Sequence, residues 1–148
     1  MSEPRSILTL DSNVFVAAAK GDEPYHKDCL NLLKKVPDSF FLAEPSTIYQ
    51  EVCGAVARRV GLKEAQVFSE QLDRFIPEEL LFDCNKHFCL SSYPLCSQYK
   101  IYAMDALYLN VAINSGAHLV SLDSEDFVDR LKENKHNVEV YHVSEFPY

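Results

Sequence analysis

The fold is decided by residues 105–127, DALYLNVAINSGAHLVSLDSEDF. Apolar residues at three- and four-residue spacing predict a helix that begins just before Asp105. This helix should end at Gly116, because glycine readily adopts the left-handed conformation that follows a last helical turn. Residues 118–121, HLVS, predict a short buried strand, and Asp123 follows where that strand ends. One acidic residue therefore opens a helix, and another lies at the end of a strand.

The rest of the chain repeats this alternation of short strands and amphipathic helices. The other predicted strands are Ser6 to Leu10, Phe40 to Ala43, Leu80 to Phe82 and Val138 to Tyr141. Six other helices are predicted. The first follows Ser12-Asn13 and ends at Lys20, and the last starts at Phe127. The four between them are Pro24 to Val36, Pro45 to Gly61, Glu64 to Phe75, and Asn85 to Tyr99 with a break near Pro94. This alternation is typical of parallel sheets covered by helices. We predict a single domain over residues 1–148 with an α/β fold, a three-layer α/β/α sandwich around a short, mainly parallel sheet.

Composition limits the classes of function. Five Cys is an odd number, which indicates reduced thiols and a cytoplasmic protein. No apolar run approaches the roughly 20 residues that a membrane span needs, and Met1 to Ser6 is too short and polar for a signal peptide. The formal net charge of -8 is unlike the basic surface of most nucleic-acid binders. Either the partner is not a polyanion, or cations neutralise part of this charge in the working state.

Four acidic residues from four segments are candidates for one pocket. Asp11 and Asp123 each follow a predicted strand, and the carboxyl ends of parallel strands meet at the edge of the sheet where ligands bind. Asp105 lies in the first turn of the helix that leads to the later of these strands. Glu51 lies inside the helix that follows the second strand, and Asp126 is a fifth candidate close to Asp123.

Each acid also has a structural explanation. An Asp at a strand-to-helix junction is a favoured N-cap, worth about 1 kcal/mol, which would account for Asp11 or Asp123. Asp105 would gain from the helix dipole without any function. Glu51 has the weakest structural explanation, because its neighbours place it beside a buried face, where an unpaired carboxylate is costly. From the residues alone, a metal site and structural roles both stay open.

A convergence of four carboxylates would need something to offset their repulsion. Two carboxylates about 4 Å apart repel by about 4 kcal/mol at an effective dielectric constant near 20. Such a cluster therefore requires a cation, shared protons or Lys and Arg partners. Oxygen ligands prefer hard cations, so Mg²⁺ or Mn²⁺ is a better candidate than zinc.

Several motifs resemble those of the PIN-domain nuclease family, in particular the small prokaryotic toxin ribonucleases of the VapC type. They are LDSNVF at 10–15, Pro45 through Glu51-Val52 with Ala55 and Arg58 beyond, DALYL from Asp105, GAHLVSLD at 116–123 with Asp126-Phe127, and the end from Val138 to Phe146. Together they cover essentially the whole chain. The resemblance implies a ribonuclease that depends on Mg²⁺ or Mn²⁺ and acts on RNA. It also implies an antitoxin protein as a possible partner and a homodimer.

The resemblance also implies roles for individual residues. The acidic site corresponds to Asp11, Glu51, Asp105 and Asp123. The three Asp would hold the metal ion, and Glu51 would be a ligand or would orient the attacking water. Neighbouring polar residues would keep the acids oriented: Ser12, Asn13, Ser121 and Asp126. Four basic residues are candidates for phosphate contacts, although a solvated helix face also explains each: Lys20, Arg58, Arg59 and Lys100.

Other functions stay open. Acids at strand ends also serve phosphohydrolases and receiver-type phospho-acceptor domains, but the Lys expected after a late strand of a receiver is missing. A non-catalytic PIN-like binding or scaffold module in RNA processing is the second alternative. Cysteines and a histidine cluster between Cys84 and Cys96, but without the paired spacing typical of zinc. Most aromatic residues suit core packing, although Tyr25, Tyr49 and Tyr108 are candidates for lining a groove that binds a nucleic-acid strand.

Overall fold

The structure of the protein is a computed structural model that describes residues 6–134 and 136–148. The residues before Ser6, on which the prediction about a signal peptide rests, lie outside the described residues. The strands are β1 (Ser6–Leu10), β2 (Phe40–Leu42), β3 (Glu44–Pro45), β4 (Leu81–Phe82), β5 (His118–Ser121) and β6 (Val140–His142). The helices are α1 (Ser12–Ala19), α2 (His26–Leu33), α3 (Ile48–Arg59), α4 (Leu62–Phe75), α5 (Lys86–Ser92), α6 (Pro94–Tyr99), α7 (Ala103–Ser115) and α8 (Asp129–Lys132), with a π-helical turn at Ser124–Val128 and 3-10 turns at Glu78–Leu80 and Val143–Glu145.

The central sheet has the strand order β2-β1-β5-β6, and all its neighbouring strands are parallel. The strand β1 lies inside this sheet and pairs through Leu8 with both Leu42 and His118. Leu8 and Leu10 are fully buried, as expected for a parallel strand that helices cover. The predicted three-layer α/β/α sandwich with a parallel central sheet is confirmed.

The helix α7 lies in the core and links the sheet to the rest of the fold. Every residue from 106 to 112 is buried, and a helix that is apolar on all sides is one enclosed by its own protein. It contacts β1, β3 and β5. Gly116 follows its last turn with φ 69°, the left-handed conformation predicted there. This packing holds the first turn of α7, and Asp105 with it, close to the sheet.

The structure corrects the prediction that Pro45 opens a helix. Glu44 and Pro45 form the short strand β3, which pairs in parallel with β4, and α3 begins only at Ile48. The pairing is long-range, so local spacing carries no signal for it. Two other boundaries were also wrong, because Pro24 precedes α2 in a turn and the last strand is Val140–His142.

Among the described helices, none is both long and apolar enough to cross a membrane. All five cysteines carry free thiols.

Candidate active site

The four predicted acids lie on segments that meet at the carboxyl edge of the central sheet. Asp11 directly follows β1, and Asp123 comes two residues after β5. Asp105 and Glu51 lie in the first turns of α7 and α3. The charges of Asp11, Asp123, Glu51 and Asp126 all contribute to raising the pKa of Asp105. The structure therefore brings these five carboxylates within electrostatic reach of one another.

Asp11 is held by side-chain donors and does not cap the helix that it precedes. The Ser121 hydroxyl donates to its Oδ2 at 2.8 Å, and the Asn13 amide donates to the same oxygen at 3.3 Å. Asp11 occupies the N-cap position of α1, but its side chain makes no capping hydrogen bond. N-capping therefore does not explain why an acid stands at this position.

Asn13 and Ser121 link the start of α1 to the end of β5. The Asn13 amide also donates to the Ser121 hydroxyl oxygen at 3.3 Å, and its own Oδ1 accepts the Leu122 N–H at 3.2 Å. The same Ser121 oxygen accepts the Asp123 N–H at 3.0 Å. The side chains that bind Asp11 therefore also position the backbone that carries Asp123.

Glu51 is fixed from two sides by hydroxyl groups. The Tyr108 hydroxyl donates to its Oε1 at 2.7 Å, and the Ser12 hydroxyl donates to its Oε2 at 3.4 Å. Tyr108 is fully buried, so the prediction that it lines a groove for base stacking is wrong. Its role in this structure is to orient an acid of the cluster.

Asp123 and Asp105 differ in how their carboxylates are satisfied. The Oδ1 of Asp123 accepts the Asp126 N–H at 3.0 Å, so this acid does cap the π-helical turn that follows. Asp105 is half-buried, and no donor among residues 6–134 and 136–148 bonds its carboxylate. Of the four acids, Asp105 is thus the one with most free coordination capacity.

Burial and like charges raise the pKa of two acids in the cluster. Burial raises the pKa of Asp11 from 3.8 to about 6; the Ser121 hydrogen bond opposes this, and the charges of Glu51 and Asp123 add to it. Burial and the neighbouring acids raise the pKa of Asp105 to about 7. Within the described part of the chain, no Lys or Arg forms an ion pair with any of the five carboxylates. No basic side chain of the described residues therefore offsets their mutual repulsion.

The chemistry of these donors suits a hard cation. The cluster offers only oxygen atoms, which Mg²⁺ and Mn²⁺ prefer. In residues 6–134 and 136–148, no group of three or more His, Cys, Asp or Glu side chains is arranged to hold a metal ion as the side chains stand. That finding includes the cysteines between Cys84 and Cys96. Mg²⁺ usually binds through one or two carboxylates and keeps several waters, so the acidic cluster remains compatible with it.

A groove is lined by one acid of the cluster, Glu51, and by one of the predicted basic residues, Arg59. Its volume is about 370 Å³, and its lining is Ser12, Asn13, Val16, Glu51, Ala55 and Arg59. Glu23 lies 3.8 Å from Arg59 and 3.7 Å from Lys20, so the structure brings these two cations together. It does not place Arg58 or Lys100 in the lining of this groove.

A sixth acid, Glu44, also belongs to this region and was not predicted from the sequence. It is fully buried, its Oε1 accepts the Leu10 N–H at 2.7 Å, and its Oε2 has no hydrogen-bond partner among the described residues. Burial, together with the charges of Asp11 and Glu51, raises its pKa well above the usual value. The signal was present, since Glu44 follows a buried apolar strand as Asp11 does, but the mistaken helix start at Pro45 concealed it.

The chain matches a known protein family and resembles several solved structures. The family model for the PIN domain matches residues 8–133. Similar solved structures include the sarcin–ricin loop cleaving toxin VapC20 of Mycobacterium tuberculosis, with 13% identity, a TM-score of 0.65 and coverage of 90% of this chain and 98% of that one. A chain of the promoter-DNA-bound VapBC2 of Rickettsia felis has 20% identity, a TM-score of 0.60 and coverage of 92% and 98%. A chain of a toxin–antitoxin complex of Klebsiella pneumoniae has 16% identity, a TM-score of 0.63 and coverage of 89% and 98%. These likenesses show a shared fold, and no curated protein matched the chain.

Proposed function

The chain belongs to the PIN domain family, and from that premise we propose that it is a metal-dependent endoribonuclease that hydrolyses RNA phosphodiester bonds. The observation that carries the proposal is the cluster of carboxylates from four segments that no Lys or Arg of the described residues neutralises. Asp11 supports it most strongly, because this buried acid has no capping role. A buried charge without a counter-charge is costly, so its presence here favours a function.

We assign the cation to Asp11, Asp105 and Asp123, as direct or water-mediated ligands. When bound, Mg²⁺ or Mn²⁺ supplies Lewis-acid activation of water and offsets the charge that develops on the phosphate. Asn13 and Ser121 keep Asp11 in one orientation through their hydrogen bonds, which is the usual role of groups behind metal ligands. Asp126 donates its backbone N–H to Asp123, so it supports that ligand through the main chain.

Glu51 is the proposed group that orients the attacking water. Its Oε1 is occupied by Tyr108, and its Oε2 has only the longer contact with Ser12, so the second oxygen is available to water. Glu51 lines the groove, whereas Tyr108 lies in the core behind it. This arrangement lets Glu51 accept a proton from water while the buried hydroxyl keeps its carboxylate from rotating.

The groove beside α1 and α3 is the proposed path of the RNA strand. Ser12, Glu51 and Arg59 all line it, and Arg59 shares Glu23 with Lys20. A strand whose scissile phosphate lies at the acids would bring another phosphate to these cations. Arg58 and Lys100 remain candidates for weaker contacts outside the groove.

We propose further that the protein is the toxin of a toxin–antitoxin pair. The support is its likeness in fold to VapC20 and to chains of toxin–antitoxin complexes. An antitoxin protein is then the proposed partner. A homodimer and a cytoplasmic location stay predictions made from the sequence.

The proposal is tested by RNA cleavage with the parent protein, Asp105→Asn and Asp38→Asn. Asp38 is an exposed acid outside the cluster, so its variant controls for the change of net charge. We expect cleavage by the parent and Asp38→Asn in Mn²⁺, none in EDTA, and a loss of about 100-fold or more in Asp105→Asn. Equal cleavage by Asp105→Asn would refute the assignment. RNA binding without cleavage by any of the proteins would favour the scaffold module instead.

A further inference from the structure

The strand β2 leaves β1 before β1 ends. The parallel pairing of these strands stops at Leu8 and Leu42, and the last backbone bond between them runs from the Ala43 N–H to the Leu8 carbonyl at 2.9 Å. In a parallel ladder the next donor towards β2 would be the Leu10 N–H. The chain instead turns into β3 and pairs with β4, which leaves this donor without a backbone acceptor from β2.

The side chain of Glu44 provides the acceptor that β2 does not provide. Its Oε1 accepts the Leu10 N–H at 2.7 Å, in the interior of the protein. On the other side of the strand, the next donor, the Asp11 N–H, bonds the Val120 carbonyl of β5 at 3.0 Å. The backbone that carries Asp11 is thus held by a strand on one side and by a carboxyl group on the other.

Stability alone does not account for a carboxyl group here. Only one of its two oxygens is bonded, and the other is buried with no hydrogen-bond partner among the described residues. A buried polar atom without a partner destabilises the folded state and calls for a specific explanation. The charges of Asp11 and Glu51 have the same sign as a Glu44 carboxylate and so disfavour it further.

We infer that Glu44 is a positioning residue of the acidic site, which fixes Asp11 by holding the Leu10 N–H where β2 departs. For its effect on activity the inference rests on the proposed nuclease function, but its effect on the backbone of Asp11 does not. The side chain acts as a hydrogen-bond acceptor, and its charge is not needed. A glutamine, which keeps one amide oxygen, should therefore replace it, whereas a methionine of similar length should not.

The chain offers a matched control in Thr9. Its hydroxyl donates to the Ala43 carbonyl at 2.8 Å, and the side chain is fully buried. Thr9→Val therefore removes a buried hydrogen bond between the same two segments, one residue earlier, without touching the Leu10 donor. Glu44→Gln, Glu44→Met and Thr9→Val together separate positioning from a general loss of stability.

The experiment compares four versions of the full chain: the parent, Glu44→Gln, Glu44→Met and Thr9→Val. Amide hydrogen exchange is measured by NMR on each of them, and each is then titrated with Mn²⁺. After correction for global stability, Glu44→Met should lower the exchange protection of Leu10 and Asp11 about tenfold or more, while Glu44→Gln and Thr9→Val keep it. Glu44→Met should also weaken Mn²⁺ binding about 10- to 100-fold, with Glu44→Gln close to the parent.

The outcomes distinguish this inference from the proposed function. Unchanged protection of Asp11 in Glu44→Met, or a loss of the same size in Thr9→Val, would overturn the positioning role whether or not the protein cleaves RNA. A defect in Glu44→Gln as large as in Glu44→Met would overturn it too, because it would show that the charge matters. Absence of Mn²⁺ binding by the parent would count against the nuclease proposal, and the exchange data would still decide on Glu44.

Discussion

Replacing Asp11 with Asn should stabilise the metal-free protein at neutral pH. Asp11 is only 5% exposed and lies beside other carboxylates, so its charge is unfavourable in the folded state. Its pKa of about 6, against an ordinary value of 3.8, corresponds to a penalty of about 3 kcal/mol when the acid is ionised. Asn removes the charge but weakens the hydrogen bond from Ser121, at a cost of about 1 kcal/mol. The expected net gain in the free energy of unfolding is therefore about 2 kcal/mol at pH 7.5.

The gain should depend on pH in a defined direction. Because the pKa of Asp11 is higher in the folded than in the unfolded state, folding takes up protons, and stability falls as the pH rises from about 4 to about 6. The penalty is absent below this window and complete above it. Asp11→Asn should thus exceed the parent in stability at pH 7.5 and lose that advantage at pH 4.

Urea unfolding in EDTA at pH 7.5 and pH 4 measures the gain in the free energy of unfolding and its dependence on pH. Asp38→Asn makes the same change in net charge at an exposed position and should alter stability by less than about 0.5 kcal/mol. The reasoning would be refuted if Asp11→Asn were less stable than the parent at pH 7.5. It would also fail if the variant gained equally at both pH values, because burial of the charge would then not be the cause.

Three further predictions concern the groups around the acids. Tyr108→Phe removes the bond to Glu51 and should lower the cleavage rate about tenfold with little change in KM; an unchanged rate would show that this hydroxyl does not orient the acid. Asn13→Ala should weaken Mn²⁺ binding about 10-fold or more in calorimetry, and equal affinity would remove Asn13 from the site. Glu23→Gln frees Arg59 and leaves Lys20 only its 3.9 Å ion pair with Asp22, so RNA binding measured by fluorescence anisotropy should tighten and depend more steeply on salt; weaker binding would contradict the proposed strand path.

Local patterns in the sequence were enough to predict the central elements. The helix at Asp105, the glycine that ends it and the strand at His118–Ser121 all depend on spacing and turn chemistry within a few residues. Asp11 and Asp123 could be assigned to one edge because parallel strands align their carboxyl ends. These features follow from interactions between residues close in sequence, together with the rule that parallel strands end at the same edge of a sheet.

The features that were missed depend on contacts between distant parts of the chain. Glu44 is 34 residues from the Leu10 donor that it binds, and the pairing of β3 with β4 joins residues 37 positions apart. Tyr108 is 57 residues from Glu51, and its position in an apolar helix gave no sign that its hydroxyl serves an acid. Such partners become visible only when the fold brings them together.

The most direct test of the central claim is calorimetric titration of the parent protein and Asp11→Asn with Mn²⁺. If acids from separate segments form one cation site, the parent should bind the metal and gain thermal stability as it does so, since a ligand held only by the folded state stabilises it. Both effects should fall sharply in Asp11→Asn. Equal binding by the two proteins, or no binding by either, would contradict the account.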